Sequence, residues 1–250
     1  MSKFIVAVDG PAGSGKSSVS KQVARELHFG YLDTGAAYRA LAWQVLAQSV
    51  TAESADASAK RDDAANTEAA LDGIRALNSP AELAATFDYS ISTDPDHFWV
   101  KVGEADVTEA IRSTEVAEFV SQVARIQVVR DFMKQLTRNL AEACERPGII
   151  IEGRDITTVV APDAQKRLLV TASETVRLER RGAELAKGQN PSSDAMAAEK
   201  LKRQISQRDA SDAKVVDFMT PAEGVTLVDT TELDFNQTVR RVLELINHSS

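Results

Sequence analysis

Gly10-Pro11-Ala12-Gly13-Ser14-Gly15-Lys16-Ser17 fits the pattern GxxxxGK[ST] at every fixed position. Glycines at this spacing let the backbone curl until successive amides face inward, where they cradle phosphate oxygens. A helix opening at the lysine adds the positive end of its dipole at the same point. Lys16 suits the β- and γ-phosphates as a point charge, and the Ser17 hydroxyl suits Mg²⁺. Gly10 to Ser17, with Ser18 behind them, are therefore candidate ligands of a nucleoside triphosphate. The loop alone leaves the protein class open. The chain has no Asn-Lys-x-Asp guanine reader and no Leu-Ser-Gly-Gly-Gln-type signature, which sets GTPases and transport ATPases aside.

Other polar groups fall where an α/β chain places its ligands. Leu32-Asp33-Thr34-Gly35-Ala36-Ala37-Tyr38-Arg39 follows a short apolar run, and strand C-termini in open α/β sheets face the ligand crevice. Asp33 and Thr34 also suit a helix N-cap, and the two roles can coexist. Arg39, one turn into that helix, has no bland requirement beyond solvent exposure. Glu152-Gly153-Arg154-Asp155 stands directly after another apolar run. Adjacent Arg and Asp at a sheet end point to function more than to a surface salt bridge. By composition alone, Ser121 and Arg130 are ordinary solvated helix residues. So are Arg177, Arg180 and Arg181, and so is the set Arg208-Asp209 with Asp212.

The elements that must position these groups alternate. Phe4–Val8 reads as a strand buried on both faces. A helix over about 16–28 carries Val19, Val23 and Leu27 in one stripe, and Gly30 is placed to end it in the left-handed conformation. Tyr31-Leu32 is a second short strand and about 35–49 a second helix. Residues 51–70 turn to Ala, Asp, Glu and Ser, a solvated helix or connector with no assigned function. Phe87, Tyr89, Ile91 and Phe98, Val100, Val102 alternate on either side of Asp94-Pro95-Asp96, a β-hairpin with polar turn chemistry. Helical spacing returns at Val116 and continues through Leu140 until Pro147-Gly148. Strands at 148–151 and 167–170, a helix at 174–187, a polar loop at 187–193, a charged helix near 195–209, a strand at 225–228 and a helix near 235–247 complete the chain. This order argues a parallel sheet wrapped by helices, interrupted by an inserted subdomain.

Composition narrows the classes further. The 250 residues make one large domain or a core with insertions, and 43% apolar with 26% charged is the balance of a globular chain. No run approaches the roughly 20 apolar residues of a membrane helix. The five apolar residues after Met1-Ser2-Lys3 fall short of a secretory leader, so none is expected. Cys144 is the only cysteine, which excludes an internal disulfide and suits a reducing, cytoplasmic setting. A net charge of −8 argues against general nucleic-acid binding but permits a small phosphorylated substrate held by a few arginines. His28, His97 and His248 sit at a helix end, in the hairpin and in the tail, and read as structural or solvated.

Taken together, these blocks resemble the bacterial cytidylate kinases of the nucleoside monophosphate kinase group. The carriers are Ile5 through Ser17, Leu32 through Arg39, Ser121-Gln122-Val123-Ala124, Glu152-Gly153-Arg154-Asp155-Ile156-Thr157-Thr158-Val159-Val160 and Gln207-Arg208-Asp209, in the family's order over nearly the whole chain. The resemblance implies a three-layer α/β P-loop fold with a five-stranded parallel sheet. It also implies a monophosphate-binding insertion containing the hairpin (about 51–128) and a mobile lid (about 182–194). The core is then about 1–50, 129–181 and 210–250. The implied reaction is transfer of the γ-phosphoryl group of ATP to CMP or dCMP with Mg²⁺, by a monomer. Lys16, Arg154, Arg177 and Arg181 become the catalytic set, with Arg180 a further lid candidate. Thr34, Arg39 and Arg154 lie on the monophosphate side. Ser121, Arg130 and Asp155 are implied to read the base, and Asp212, steadied by Arg208, to hold the ribose.

The base assignment is chemically consistent. A carboxylate accepts from the cytosine amino group and a guanidinium donates to its acceptors, whereas uracil sets an oxygen against the carboxylate. That mismatch costs about 1–3 kcal/mol, up to roughly a hundredfold in preference. Two departures stand out. Thr34 replaces a common serine and keeps the hydroxyl. Val215 occupies the place of a frequent arginine, with Lys214 beside it, so no phosphate contact is assigned there. The competing readings are a kinase for another small phosphorylated acceptor such as UMP, and a non-catalytic P-loop switch. The second leaves the Gly-Arg-Asp element and the arginine-rich segment unexplained.

Overall fold

The computed structural model describes residues 3–51, 63–186 and 219–248. The expected lid beyond 186, the charged helix at 195–209, and Arg208, Asp209, Asp212, Lys214 and Val215 lie outside the described residues. The chain divides into two compact units. One is formed by the residues up to 33, by 93–96 and by those from 140 onward; the other is 34–92 with 97–139. The division falls at 33/34 and 139/140, where the sequence reading set the insertion at 51–128.

The first unit holds β1 (Phe4–Asp9), α1 (Lys16–Glu26), β2 (Gly30–Asp33), β6 (Gly148–Gly153), β7 (Lys166–Thr171), α7 (Glu174–Ala186), β8 (Thr226–Asp229) and α8 (Phe235–Asn247). Its five-stranded sheet has the order β2-β6-β1-β7-β8, with every pair parallel. The sheet and helices form the parallel sheet wrapped by helices that the alternating pattern argued, in the three-layer P-loop fold that the resemblance implied. β1 and β6 are nearly continuous apolar runs because a central parallel strand is covered on both faces. Ile149, Ile150 and Ile151 are at most 1% exposed, and each contributes about 2–3 kcal/mol by leaving water. α1 buries Val19, Ser20, Val23 and Ala24 and packs on β6, β2, β1 and α8. α8 starts at a capping box, Asp234 with Gln237, and buries Thr238, Val239, Val242 and Ile246.

Gly30 does not end α1. His28 takes the left-handed conformation there, at φ 55°, and Gly30 is the first residue of β2. Its lack of a side chain serves packing, since a Cβ would meet the Cys144 Sγ at 2.5 Å. Cys144, just past the last helix before β6, is buried. Residues 93–96 are fastened to β2 and α1: Tyr31 N–H donates to the Thr93 carbonyl at 2.9 Å, and Arg25 donates to Asp96 at 2.7 Å and to the Pro95 carbonyl at 2.9 Å.

In the second unit α2 (Thr34–Thr51) is followed by α3 (Asp63–Arg75) and α4 (Pro80–Ala84). A small antiparallel sheet comes next, β3 (Tyr89–Ile91), β4 (Val100–Val102) and β5 (Ala105–Asp106). The expected hairpin is present, with Ile91 opposite Val100 and Tyr89 opposite Val102. The third strand, only two residues long and exposed, was not expected. A 3₁₀ turn (Ala110–Arg112) and α5 (Thr114–Ala124) complete this unit, with most of α6 (Gln127–Ala143). The helix expected to run unbroken from Val116 to Leu140 is thus two helices, divided at Arg125-Ile126. α2 packs its small buried residues Ala36, Ala40 and Ala42, with Leu41 and Val45, against α5, α3, β4 and the 3₁₀ turn. Of the alanine-rich stretch 51–70, the part from Asp63 is the start of α3.

Candidate active site

The glycine loop occupies the C-terminal edge of the first unit's sheet, between β1 and α1. Two of its glycines are dictated by space. A Cβ on Gly10 would stand 2.1 Å from the Val170 carbonyl oxygen, and one on Gly13 (φ +75°) would stand 2.4 Å from that of Arg177. The loop is therefore seated directly on the end of β7 and on α7. α1 opens from Gly15 with no side-chain cap and no acidic residue in its first turn, so its amides and dipole face outward bare. Lys16 Nζ lies 3.4 Å from the Pro11 carbonyl. The Ser14 hydroxyl is buried without a hydrogen-bond partner inside the loop. A bare helix start, a lysine curled over the loop and an orphaned hydroxyl together fit a chain of phosphates.

Two carboxylates face the same loop. Asp33 and Glu152 are paired across β2 and β6, at the ligand end of both strands. Glu152 is buried and accepts a hydrogen bond from the Tyr31 hydroxyl at 2.5 Å. Burial first, then the Asp33 charge, pushes the Glu152 carboxyl above the ordinary carboxylate range; Lys16, Ser17 and Tyr31 pull the other way. The Tyr31 phenol is held well above its ordinary value by burial, by Glu152 and by Asp33. Ser17 thus stands with two carboxylates and an ammonium, a hard oxygen donor set that fits a hydrated Mg²⁺. The sequence marked Ser17 alone for the metal. Glu152 and Asp33 carried a signal too, as acidic residues ending strands that flank the phosphate-loop strand.

Asp9, the last residue of β1, does something the motif does not announce. Its Oδ1 accepts from Ile156 N–H at 2.8 Å, and its Oδ2 accepts from Thr157 N–H at 2.8 Å and from Thr157 Oγ1 at 2.6 Å. These bonds cap a π-helical turn, Ile156–Val160, whose N-cap is Asp155. Burial raises the Asp9 carboxyl above its ordinary value, against the pull of the Thr157 and Ile156 bonds and the Lys16 charge. The segment carrying Arg154 and Asp155 is in this way pinned to the strand that carries the phosphate loop. Arg154 Nη1 itself lies 3.4 Å from the Gly10 carbonyl.

The α7 arginines Arg177 and Arg180 differ in their partners. Arg177 is buried and donates to the Ala12 carbonyl at 3.1 Å. The Arg180 guanidinium donates to Thr230 and Leu233 and lies 3.4 Å from the Ser14 carbonyl. Arg181 stands one residue further along the same helix. The structure thus gathers Gly10–Ser17, Arg154, Asp155, Arg177 and Arg180 in the first unit, with Ser18 exposed on α1. Thr34 and Arg39 (α2), Ser121 (α5) and Arg130 (α6) belong to the second; Thr34 is buried and the other three are half-buried. Among the described residues no cluster of His, Cys, Asp and Glu forms a metal centre of its own, and no helix is long and apolar enough to cross a membrane.

Comparison with known proteins agrees with this geometry. The family profile described as Cytidylate kinase matches residues 6–248. The chain is 37% identical over 248 residues to a cytidylate kinase of Cutibacterium acnes, covering 98% of this chain and 96% of that one. It is 38% identical over 251 residues to one of Rhodococcus opacus, covering 100% and 97%. For one of Exiguobacterium sibiricum the figures are 38% over 250 residues, 98% and 97%. A phosphate loop seated on α7, a Gly-Arg-Asp element pinned beside it, and likeness to these enzymes from end to end place the chain in the cytidylate kinase family.

Proposed function

We propose that the chain transfers the γ-phosphoryl group of ATP to CMP or dCMP, giving ADP and CDP or dCDP. The observation that carries this reading is the meeting of two phosphate-directed elements at one residue. The Gly10 carbonyl begins the donor loop and lies 3.4 Å from the Arg154 guanidinium of the Gly-Arg-Asp element. Transfer between two bound phosphates needs positioning and charge neutralisation. An oxygen of the acceptor monophosphate attacks the γ-phosphorus as the bond to the β–γ bridging oxygen breaks. That attacking oxygen is already anionic, so no general base is required, in keeping with the absence of histidine from the site residues.

Gly10 to Ser17 and Ser18 take the donor phosphates, with Lys16 across the β- and γ-positions. Ser17, Glu152 and Asp33 would hold Mg²⁺, which would supply charge neutralisation on the transferring group. Arg154 takes the acceptor phosphate together with Arg39, and Thr34 lies on the same side. Ser121, Arg130 and Asp155 read cytosine, and Asp212 with Arg208 holds the ribose. Arg177 and Arg181 neutralise the group in flight, and the segment at 182–194 closes over it to exclude water. The enzyme acts as a monomer in the cytoplasm, with no nucleic-acid partner. In support of that setting, the single cysteine can form no internal disulfide. The test is ADP release from MgATP with CMP, dCMP, UMP, AMP and GMP offered separately. Fast turnover of CMP and dCMP with UMP slower by up to about a hundredfold is expected. Equal rates with UMP would sink the base reading, and ATP binding without turnover of any acceptor would sink the kinase.

A further inference from the structure

Four hydrogens of one guanidinium account for the position of two loops. Arg180 Nη1 donates to the Thr230 hydroxyl at 2.8 Å and lies 3.4 Å from the Ser14 carbonyl. Its Nη2 donates to the carbonyls of Thr230 at 2.8 Å and Leu233 at 3.1 Å. Thr230 is fully buried and holds the Thr171 carbonyl at the end of β7, through its N–H at 2.8 Å and its hydroxyl at 3.0 Å. Leu233 leads into the capping box of α8 at Asp234. One side chain therefore joins the phosphate loop to the β8–α8 loop, on the ligand side of the sheet.

The consequence for the phosphate loop follows from the planarity of the peptide. In a trans peptide the carbonyl and the next N–H point in opposite directions. A Ser14 carbonyl drawn back toward Arg180 turns the Gly15 N–H out toward the mouth of the loop. Arg177, drawing back the Ala12 carbonyl at 3.1 Å, does the same for the Gly13 N–H. Arg180 Nη1 lies 3.8 Å from where a Cβ on Gly15 would stand, so the guanidinium is beside that residue as well as near the Ser14 carbonyl.

We propose that Arg180 is a positioning residue of the donor site, which aims the Gly15 amide at the donor phosphates and fixes the Thr230–Leu233 loop beside them. The inference rests on the phosphoryl-transfer reading above for what the donor is. Charge alone does not suffice for this role. A lysine keeps the charge but presents three donors from one point, and cannot fork to carbonyls on two loops.

The experiment compares the wild type, Arg180→Lys and Thr230→Val. MgATP and ADP are titrated by calorimetry without acceptor, followed by kcat, KM for ATP, KM for CMP and thermal midpoint. Arg180→Lys is expected to weaken MgATP binding by about tenfold or more and to leave the KM for CMP within about twofold. Thr230→Val removes one of the four acceptors and is expected to weaken MgATP binding about threefold. In the double variant the two effects combine to less than their product, because they act through one network. Unchanged MgATP binding with a lower kcat would place Arg180 on the transferring phosphoryl group and overturn the proposal. A parallel rise in both KM values, tracking a lower thermal midpoint, would overturn it in favour of general loosening. If the wild type turns over no monophosphate at all, the reaction reading fails, and the nucleotide titration still decides the role of Arg180.

Discussion

Replacing Asp9 with asparagine tests whether one carboxylate holds the acceptor segment in place. In the native fold its two oxygens accept three hydrogen bonds, at 2.8, 2.8 and 2.6 Å, and donate none. Asparagine has one oxygen. Set toward Thr157, it keeps two of the bonds as neutral ones and turns its NH₂ against the Ile156 N–H, donor against donor. Losing that bond and burying unmatched donors costs about 1–3 kcal/mol, and weakening the remaining two from charge-assisted to neutral adds about 0.5–1 kcal/mol each. Relief of the burial that raises the Asp9 carboxyl returns part of this. A net loss of about 2–4 kcal/mol is expected. Urea unfolding measures it as a lower midpoint at constant slope. Thr157→Val, which removes only the hydroxyl donor, should cost about 1–2 kcal/mol on the same scale. The activity follows the same route. With Ile156 and Thr157 untethered, Arg154 and Asp155 lose their fixed approach, so the KM for CMP rises more than the KM for ATP. A stability change below about 0.5 kcal/mol together with an unaltered KM for CMP would refute the reasoning.

Glu152→Gln should separate stability from activity. Burial and Asp33 raise the folded-state value of this carboxyl above its ordinary 4.5. Its contribution to stability is therefore full below the ordinary value and is lost as pH rises through the raised one. Glutamine does not titrate and keeps an oxygen for the Tyr31 hydroxyl. The thermal midpoint of the variant relative to wild type should climb from pH 4 toward neutrality and then level off, while calorimetry shows weaker Mg²⁺-dependent ATP binding. A midpoint difference that does not change with pH would contradict this. Gly73→Ala, at an exposed position of α3 where a Cβ meets nothing within 4 Å, should stabilise by about 0.5–1 kcal/mol, read as a higher urea midpoint.

What the sequence made legible was local and periodic. The five core strands, α1, α7 and α8 each announce themselves by runs or stripes within a dozen residues, and α8 also by Asp234 and Gln237. The phosphate loop was legible because its glycines are spaced by the geometry of one turn. Elements lacking that local record were missed. β5 is two exposed residues, too short for any alternation. The break at Arg125-Ile126 has no glycine or proline, and the apolar stripe runs on in phase across it. The π-helical turn Ile-Thr-Thr-Val-Val has the composition of a strand. It is a turn because Asp9, about 147 residues earlier, caps it. Arg180 read as one more charge on a solvated face because its acceptors at Thr230 and Leu233 lie 50 and 53 residues away. Gly30 looked like a helix terminator, yet the residue that sets its identity is Cys144. Long-range partners of this kind leave no spacing to count.

That same contact makes the protein its own clock. Cys144 is the only sulfhydryl in the chain, 5% exposed and wedged where a Cβ on Gly30 would stand. Opening of the junction of β2 with the segment ahead of β6 is expected to expose it to a thiol reagent. The labelling rate then counts openings of the strand that carries Tyr31 and Asp33, with no probe to be introduced. Any ligand that binds only the closed form slows labelling by the factor 1 + [L]/Kd. Occupancy of the donor loop is thereby written into the reactivity of a sulfur atom on the far side of the same sheet strand pair.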